Sequence, residues 1–138
     1  MTPAPAAQSG GVVLCSCGGD GRGPLWLGEV ERGLAPLGLA WARACGRRET
    51  IGRVEQGGLA AALLIPGLPD LEGLSLLRTI REIDGRLPCW LVTPWVTRGA
   101  LQAAFSLRAV GVLPDPVDPQ ALTLSMWKVL AGGGGPCN

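Results

Sequence analysis

Short, continuous apolar runs alternate along the chain with stretches whose apolar residues recur every three or four positions. Gly11-Val-Val-Leu-Cys15, Leu39 to Ala44, Leu59 to Ile65, Cys89-Trp-Leu-Val-Thr93 and Val110 to Leu113 read as strands, Leu59 to Ile65 being the most apolar. Between them the spacing predicts helices. Pro24 suits a helix start, Leu27, Val30 and Leu34 follow at helical intervals, and Pro36 and Gly38 end that helix. A weak helix covers Glu49 to Gln56. A clear one carries Gly73, Leu76, Leu77, Ile80 and Ile83 on one stripe, with Arg78, Arg81 and Glu82 outside. The fourth helix spans Arg98 to Arg108 with Leu101, Ala104 and Phe105, and Asp118 with Pro119 opens a fifth that runs through Leu130.

Five strands alternating with five helices imply an α/β fold. Strands that are apolar throughout, rather than on alternate residues, belong to a parallel sheet covered on both faces. Right-handed crossovers then give a doubly wound five-stranded parallel sheet flanked by five helices. Ligands in such folds sit at the carboxyl ends of the strands, which directs attention to Cys15 to Cys17, Ile65 to Gly67, Thr93 with Pro94, and Leu113 to Pro116. Residues 1–10 and 132–138 are rich in Gly, Pro and Ala and read as flexible tails, leaving 11–131 as one domain.

Composition narrows the functions open to this fold. With 12 Lys+Arg against 11 Asp+Glu the chain carries a net charge of +1, so no global field draws it to nucleic acid or acidic membranes. No histidine is present, which excludes a Ser-His-Asp triad, imidazole metal ligation and phosphotransfer through histidine. The longest apolar run, Leu59 to Leu68, contains Pro66 and Gly67 and stops short of the roughly 20 residues that a spanning helix needs. Met1 to Gly11 lacks the basic and apolar regions of a secretory signal. Five cysteines, an odd and scattered set (15, 17, 45, 89, 137), suit reduced thiols. A soluble, cytoplasmic protein is the expectation.

At the strand ends the sequence resembles a known family. Leu63-Leu-Ile-Pro-Gly-Leu-Pro-Asp-Leu-Glu-Gly-Leu74 is similar to the Leu-Leu-Asp-x-x-Leu/Met-Pro-x-x-Asp/Ser-Gly segment of bacterial response regulator receiver (CheY-like) domains, with Pro69, Gly73 and the following Leu-x-Leu-Leu-Arg in place. Leu87-Pro-Cys-Trp-Leu-Val-Thr93 resembles the family's fourth strand. Ala109-Val-Gly-Val-Leu-Pro-Asp-Pro116, followed by Asp118-Pro119, resembles its fifth. The similarity spans about residues 11 to 131 and is firm from 59 onward. It implies the flavodoxin-like receiver fold.

The same comparison implies that the family's chemistry is gone. The phosphoryl-accepting aspartate corresponds to Ile65, which offers no oxygen, and the Mg²⁺-holding acid pair to Ser16 and Cys17, which lack the hard anionic oxygens that Mg²⁺ prefers. The lysine position is Asp115, a reversal of charge. Of the two switch positions, the hydroxyl is retained as Thr93 while the aromatic is Val112. The resemblance therefore points to a degenerate pseudo-receiver with no metal, no cofactor and no enzymatic activity, held in one conformation.

Other candidate chemistry is thinner. Gly18-Gly-Asp-Gly-Arg-Gly23 follows a strand and precedes a helix, where a phosphate-cradling loop would lie, yet it lacks the Gly-x-Gly-x-x-Gly spacing and no Gly-Lys-Ser/Thr follows. Cys15 and Cys17 share a strand face, with Cys89 expected near them, but a metal would want a second close pair. Asp20 and Asp115 could face each other as a relocated acid pair. Asp70 and Glu72 suit a helix start, and Arg47, Arg48, Arg78 and Arg81 suit a solvated face. Five tryptophans (26, 41, 90, 95, 127) beside a single Phe are a stronger signal. Trp41 and Trp90 read as core, Trp95 lies in a loop at the sheet's carboxyl end, and Trp127 with Leu124 falls off the Leu122, Met126, Val129 stripe.

The reading that follows is a phosphorylation-independent interaction module in bacterial signalling or transcription control. Its partner would be a protein or an output domain, with no direct contact to nucleic acid or membrane. The face of the fourth helix, fifth strand and fifth helix, on which receivers dimerise or dock, would present Leu101, Phe105, Arg108, Leu124 and Trp127, with Trp95 as a further contact. Two other classes stay open: a small-molecule- or nucleotide-binding regulator using Gly18–Gly23 and the former acidic pocket, and an enzyme using Cys15, Cys17 or Asp115.

Overall fold

The computed structural model describes residues 11–17, 24–65, 70–94 and 96–132. The elements are β1 (Val12–Cys17), α1 (Trp26–Gly33), a 3₁₀ turn (Ala35–Leu37), β2 (Ala40–Cys45), α2 (Gly46–Gln56), β3 (Leu59–Ile65), α3 (Asp70–Ile83), β4 (Cys89–Thr93), α4 (Arg98–Ser106), β5 (Gly111–Pro114) and α5 (Pro119–Gly132). All four strand pairings are parallel and the order is β2-β1-β3-β4-β5. The expected doubly wound sheet with five helices is what forms. The proposed tails except Gly132, which ends α5, the Gly18–Gly23 loop with Asp20, and Pro66, Gly67, Pro69, Trp95 and Cys137 lie outside the described residues, as do the side chains of Asp70 and Glu72.

Two cores sandwich the sheet. On one face Val13, Cys15, Cys17, Leu63 and Trp90 meet Leu27, Val30 and Leu34 of α1 and Leu122 and Met126 of α5. On the other, Leu14, Ala62, Leu64 and Leu91 meet Val54 of α2, Leu76, Leu77 and Ile80 of α3 and Ala104 of α4. β1, β3 and β4 are buried on both sides, which is why they read as unbroken apolar runs. Cys89 lies in the second core, away from Cys15 and Cys17, and its strand is separated from β1 by β3. The three thiols are therefore not gathered.

Several boundaries move for local reasons. β1 reaches Cys17 rather than Cys15, so Ser16 and Cys17 are strand residues. α1 stops at Gly33; Pro36, which has no N–H to continue an α-helix, sits in the 3₁₀ turn, and Gly38 closes it with a left-handed φ of 71°. α2 begins directly after β2, three residues before its predicted start. No Ser, Thr, Asp or Asn announces it; instead the Glu49 carboxylate accepts the Cys45 N–H at 2.7 Å. α4 ends at Ser106 because Arg108 turns left-handed (φ 62°).

Two side chains depart from their expected settings. Arg81 is no solvated charge: its guanidinium donates to the carbonyls of Leu107 (2.7 Å), Asp84 (3.1 Å) and Arg108 (3.1 Å), pinning the end of α3 to the end of α4. Ile83, placed on the buried stripe of α3, is exposed at the helix's last residue.

Candidate functional site at the strand ends

The crossover from β1 to β3, with β2 on the far side, opens the sheet at the carboxyl ends of those strands. Parallel register brings the ends into one row. Cys17 is paired with Cys45 on one side and Ile65 on the other, and Thr93 with Pro114. The Asp115 N–H donates to the Thr93 carbonyl at 3.0 Å, which places Asp115 immediately beyond β5, before a cis Asp115–Pro116 peptide. Ser16, Cys17, Ile65, Thr93 and Asp115 are thus gathered where the sequence put them.

Four of the five carry no charge and are wholly or partly shielded from solvent. Cys17 and Thr93 are buried, Ser16 is nearly so, and Ile65 packs partly buried against the α1/α5 core, while Asp115 is exposed. Ser16 has a partner that the sequence did not suggest. Thr50 of α2, wholly buried, places its hydroxyl 2.7 Å from the Ser16 hydroxyl and 2.8 Å from the Gly46 carbonyl. The carbonyl can only accept and a hydroxyl has one proton, so Thr50 donates to Gly46 and Ser16 donates to Thr50. A threonine in a polar helix with no capping signal carries no mark of this role; only the seating of α2 on β1 reveals it.

Two of the thiols, Cys15 and Cys89, are correspondingly quiet. Burial, reinforced by neighbouring Cys17, pushes the Cys15 thiol up to about 12, and burial pushes Cys89 up to about 11. At neutral pH Cys15 holds no useful thiolate and behaves as a small apolar group. Among the described residues no cluster of three Cys, Asp or Glu is placed to hold a metal ion.

The set assigned to one partner-binding face is divided. Leu124 and Trp127 stand on the side of α5 that turns towards α1, and with Thr123, Gln120, Glu29 and Arg32 they line a groove between those helices. At its base the helices come so close that a Cβ on Gly33 would lie 2.7 Å from Thr123 Cγ2. Phe105 is exposed on α4, which packs on α3 and β5. Arg108 sits at the turn beyond it, its guanidinium by Gly85, and Leu101 is half-buried. The sheet-facing side of α5 is marked by Ser125, whose hydroxyl accepts the indole N–H of Trp90 from β4 at 2.9 Å. Sequence periodicity separated Trp127 from the core stripe but carried no information on which neighbour it turned to. Trp90 is fully buried as expected; Trp41, on the edge strand β2, is only partly so. Val112 is half-buried against the α2–α4 core.

No family model and no curated protein matches the sequence. Solved structures do. A two-component response regulator from Clostridium difficile aligns over 90% of this chain and 99% of its own at 18% identity, with a TM-score of 0.71. A CheY-like response regulator receiver domain protein from Methanospirillum hungatei aligns over 86% and 93% at 20% identity, TM-score 0.69. The chain has the receiver fold. A putative pilus assembly-related protein from Burkholderia pseudomallei shares it as well, over 94% and 96% at 20% identity with a TM-score of 0.68. In this fold Ser16, Cys17, Ile65, Thr93 and Asp115 lie at the ends of β1, β3, β4 and β5.

Proposed function

We propose that this receiver-fold domain, residues 11–131, is a phosphorylation-independent regulatory module that acts by binding another protein or an output domain. The observation that carries this reading is the strand-end row. An alkyl side chain stands at the end of β3, where an acceptor oxygen would be needed, and a hydrogen-bonded, neutral Ser16–Thr50 pair occupies the end of β1 beside buried Cys17. Mg²⁺ prefers anionic oxygens, and the described members of that pocket supply none except exposed Asp115. Among the described residues the site therefore offers neither an acceptor oxygen at the end of β3 nor a cation to stabilise a phosphoryl group.

Exposed apolar side chains support the second half of the proposal. Leu124 is 57% and Trp127 37% exposed, on a groove flanked by Glu29 and Arg32. Tryptophan is enriched among interaction hot spots, and apolar patches with polar rims mark association surfaces. Phe105, 53% exposed on α4, marks a second apolar point at the other side of the molecule's β5 edge. The near-neutral net charge suits a protein partner rather than nucleic acid.

Incubation of the chain with acetyl phosphate and Mg²⁺ should leave its intact mass unchanged, whereas a stable phospho-adduct would refute the proposal. Pull-down from the native host with the wild type beside Trp127→Ala and Phe105→Ala then separates the two surfaces. Loss of a partner with Trp127→Ala alone assigns the α1–α5 groove; recovery unchanged by either variant refutes both.

A further inference from the structure

Two of the strand ends carry thiols that the chain separates by nearly thirty residues. The register of β1 and β2 pairs Cys17 with Cys45, the last pair of that ladder. Paired residues of neighbouring parallel strands project to the same side of the sheet, and alternation along each strand tells which side. Cys17 belongs to the core under α1 and α5, whereas Ala44, one residue before Cys45, belongs to the opposite core. Cys45 therefore shares the face of Cys17.

Neighbouring strands lie about 4.8 Å apart, inside the roughly 4.4–6.8 Å between α-carbons that a disulfide spans. Position favours closure too. Cys45 ends β2 and is the N-cap of α2, with φ −104° and ψ 109°, so its side chain has no further ladder residue beyond it. The pair is asymmetric in a useful way: Cys45 is exposed and Cys17 is 2% exposed. The other described thiols lack this relation, because Cys15 is paired with Arg43 and Leu63, and Cys89 lies in the other core.

We propose that Cys17 and Cys45 form a dithiol–disulfide pair, oxidised by hydroperoxides and reversed by small thiols. The sulfur of exposed Cys45 attacks one oxygen of hydrogen peroxide; the O–O bond breaks, the departing oxygen leaves as water, and Cys45 becomes a sulfenic acid. The Cys17 sulfur then attacks the Cys45 sulfur. The S–S bond forms as the S–O bond breaks, and the leaving hydroxide takes the Cys17 proton to become the second water. Two thiols and one peroxide give one disulfide and two waters. The bond ties the end of β1 to the start of α2, the same junction that the Ser16–Thr50 hydrogen bond holds without covalent help.

The test uses the full chain, reduced and freed of reductant, then treated with hydrogen peroxide and capped with N-ethylmaleimide under denaturing conditions. The expected product is a monomeric chain that has lost two hydrogens and takes up two fewer maleimides. Peptide mapping should join Cys17 to Cys45, and dithiothreitol should restore both maleimides. Cys45→Ser, at an exposed position that leaves the core intact, should abolish the product; Cys15→Ser should leave it unchanged. A Cys45 driven to sulfinic acid with Cys17 still alkylated would overturn the proposal. So would a cross-link between chains or one to any other cysteine, or a chain that peroxide leaves unaltered.

Discussion

The Ser16–Thr50 contact allows the reading of the strand-end site to be tested by energetics alone. Thr50→Val keeps the shape of the side chain but removes the oxygen that accepts the Ser16 proton, leaving a hydroxyl buried without its partner. Such a group costs about 1–3 kcal/mol. Ser16→Ala should cost less, about 0.5–1.5 kcal/mol, because Thr50 keeps its own bond to the Gly46 carbonyl when Ser16 is truncated. The double variant is the decisive one. With both hydroxyls gone nothing polar is stranded, so its cost should fall below the sum of the singles by about 1 kcal/mol or more. Urea unfolding followed by tryptophan fluorescence measures this, provided the slope with denaturant is the same in all four proteins. Additivity within about 0.3 kcal/mol would show that the two hydroxyls do not share one buried bond, and the account of a consolidated neutral site would fail with it.

Three further outcomes follow from the same geometry. Arg81→Ala should lower stability by about 2–4 kcal/mol through loss of three charged donors to backbone carbonyls, and Arg81→Lys should recover little because an ammonium lacks the planar fork; equal costs for Arg81→Ala and Arg78→Ala in urea melts would contradict this. Gly33→Ala should destabilise by about 1–3 kcal/mol, since its Cβ would press on Thr123 Cγ2 at 2.7 Å, and the penalty should vanish in a Thr123→Ala background. Burial holds Cys15 and Cys89 up to about 12 and about 11 from an ordinary 9.0, so the folded chain keeps protons that the unfolded chain releases. That contribution is complete below pH 9 and is lost as pH rises through the folded values, at up to about 1.4 kcal/mol per pH unit for each thiol; Cys89→Ala should flatten the alkaline slope.

Much of the fold was legible because its signals are local. The inner strands β1, β3 and β4 are covered on both faces, so their apolar runs are unbroken, and helices α1 and α3 carry their core stripes at the expected spacing. The strand-end residues were legible for the same reason: Ile65, Thr93 and Asp115 need only the end of a run to be located. The errors lie where a residue answers to something distant. Arg81 leaves the solvated face because its acceptors include carbonyls 26 and 27 residues away; the early start of α2 is a separate case, a short-range cap by Glu49 on Cys45 that no Ser, Thr, Asp or Asn announces.

Local signals therefore suffice for the order of elements, for the doubly wound parallel sheet, and for uncharged residues at the ends of β1 and β3 with a carboxylate, Asp115, after β5. Periodicity and residue chemistry are properties of short segments, and short segments sufficed. The tertiary structure decided which residues meet. It turned Trp127 towards α1 rather than α4, set Thr50 against Ser16, and slid β2 along β1 until Cys45 came level with Cys17. Strand register and helix rotation are fixed by the joint packing of segments far apart in the chain, and no window along one of them contains that information.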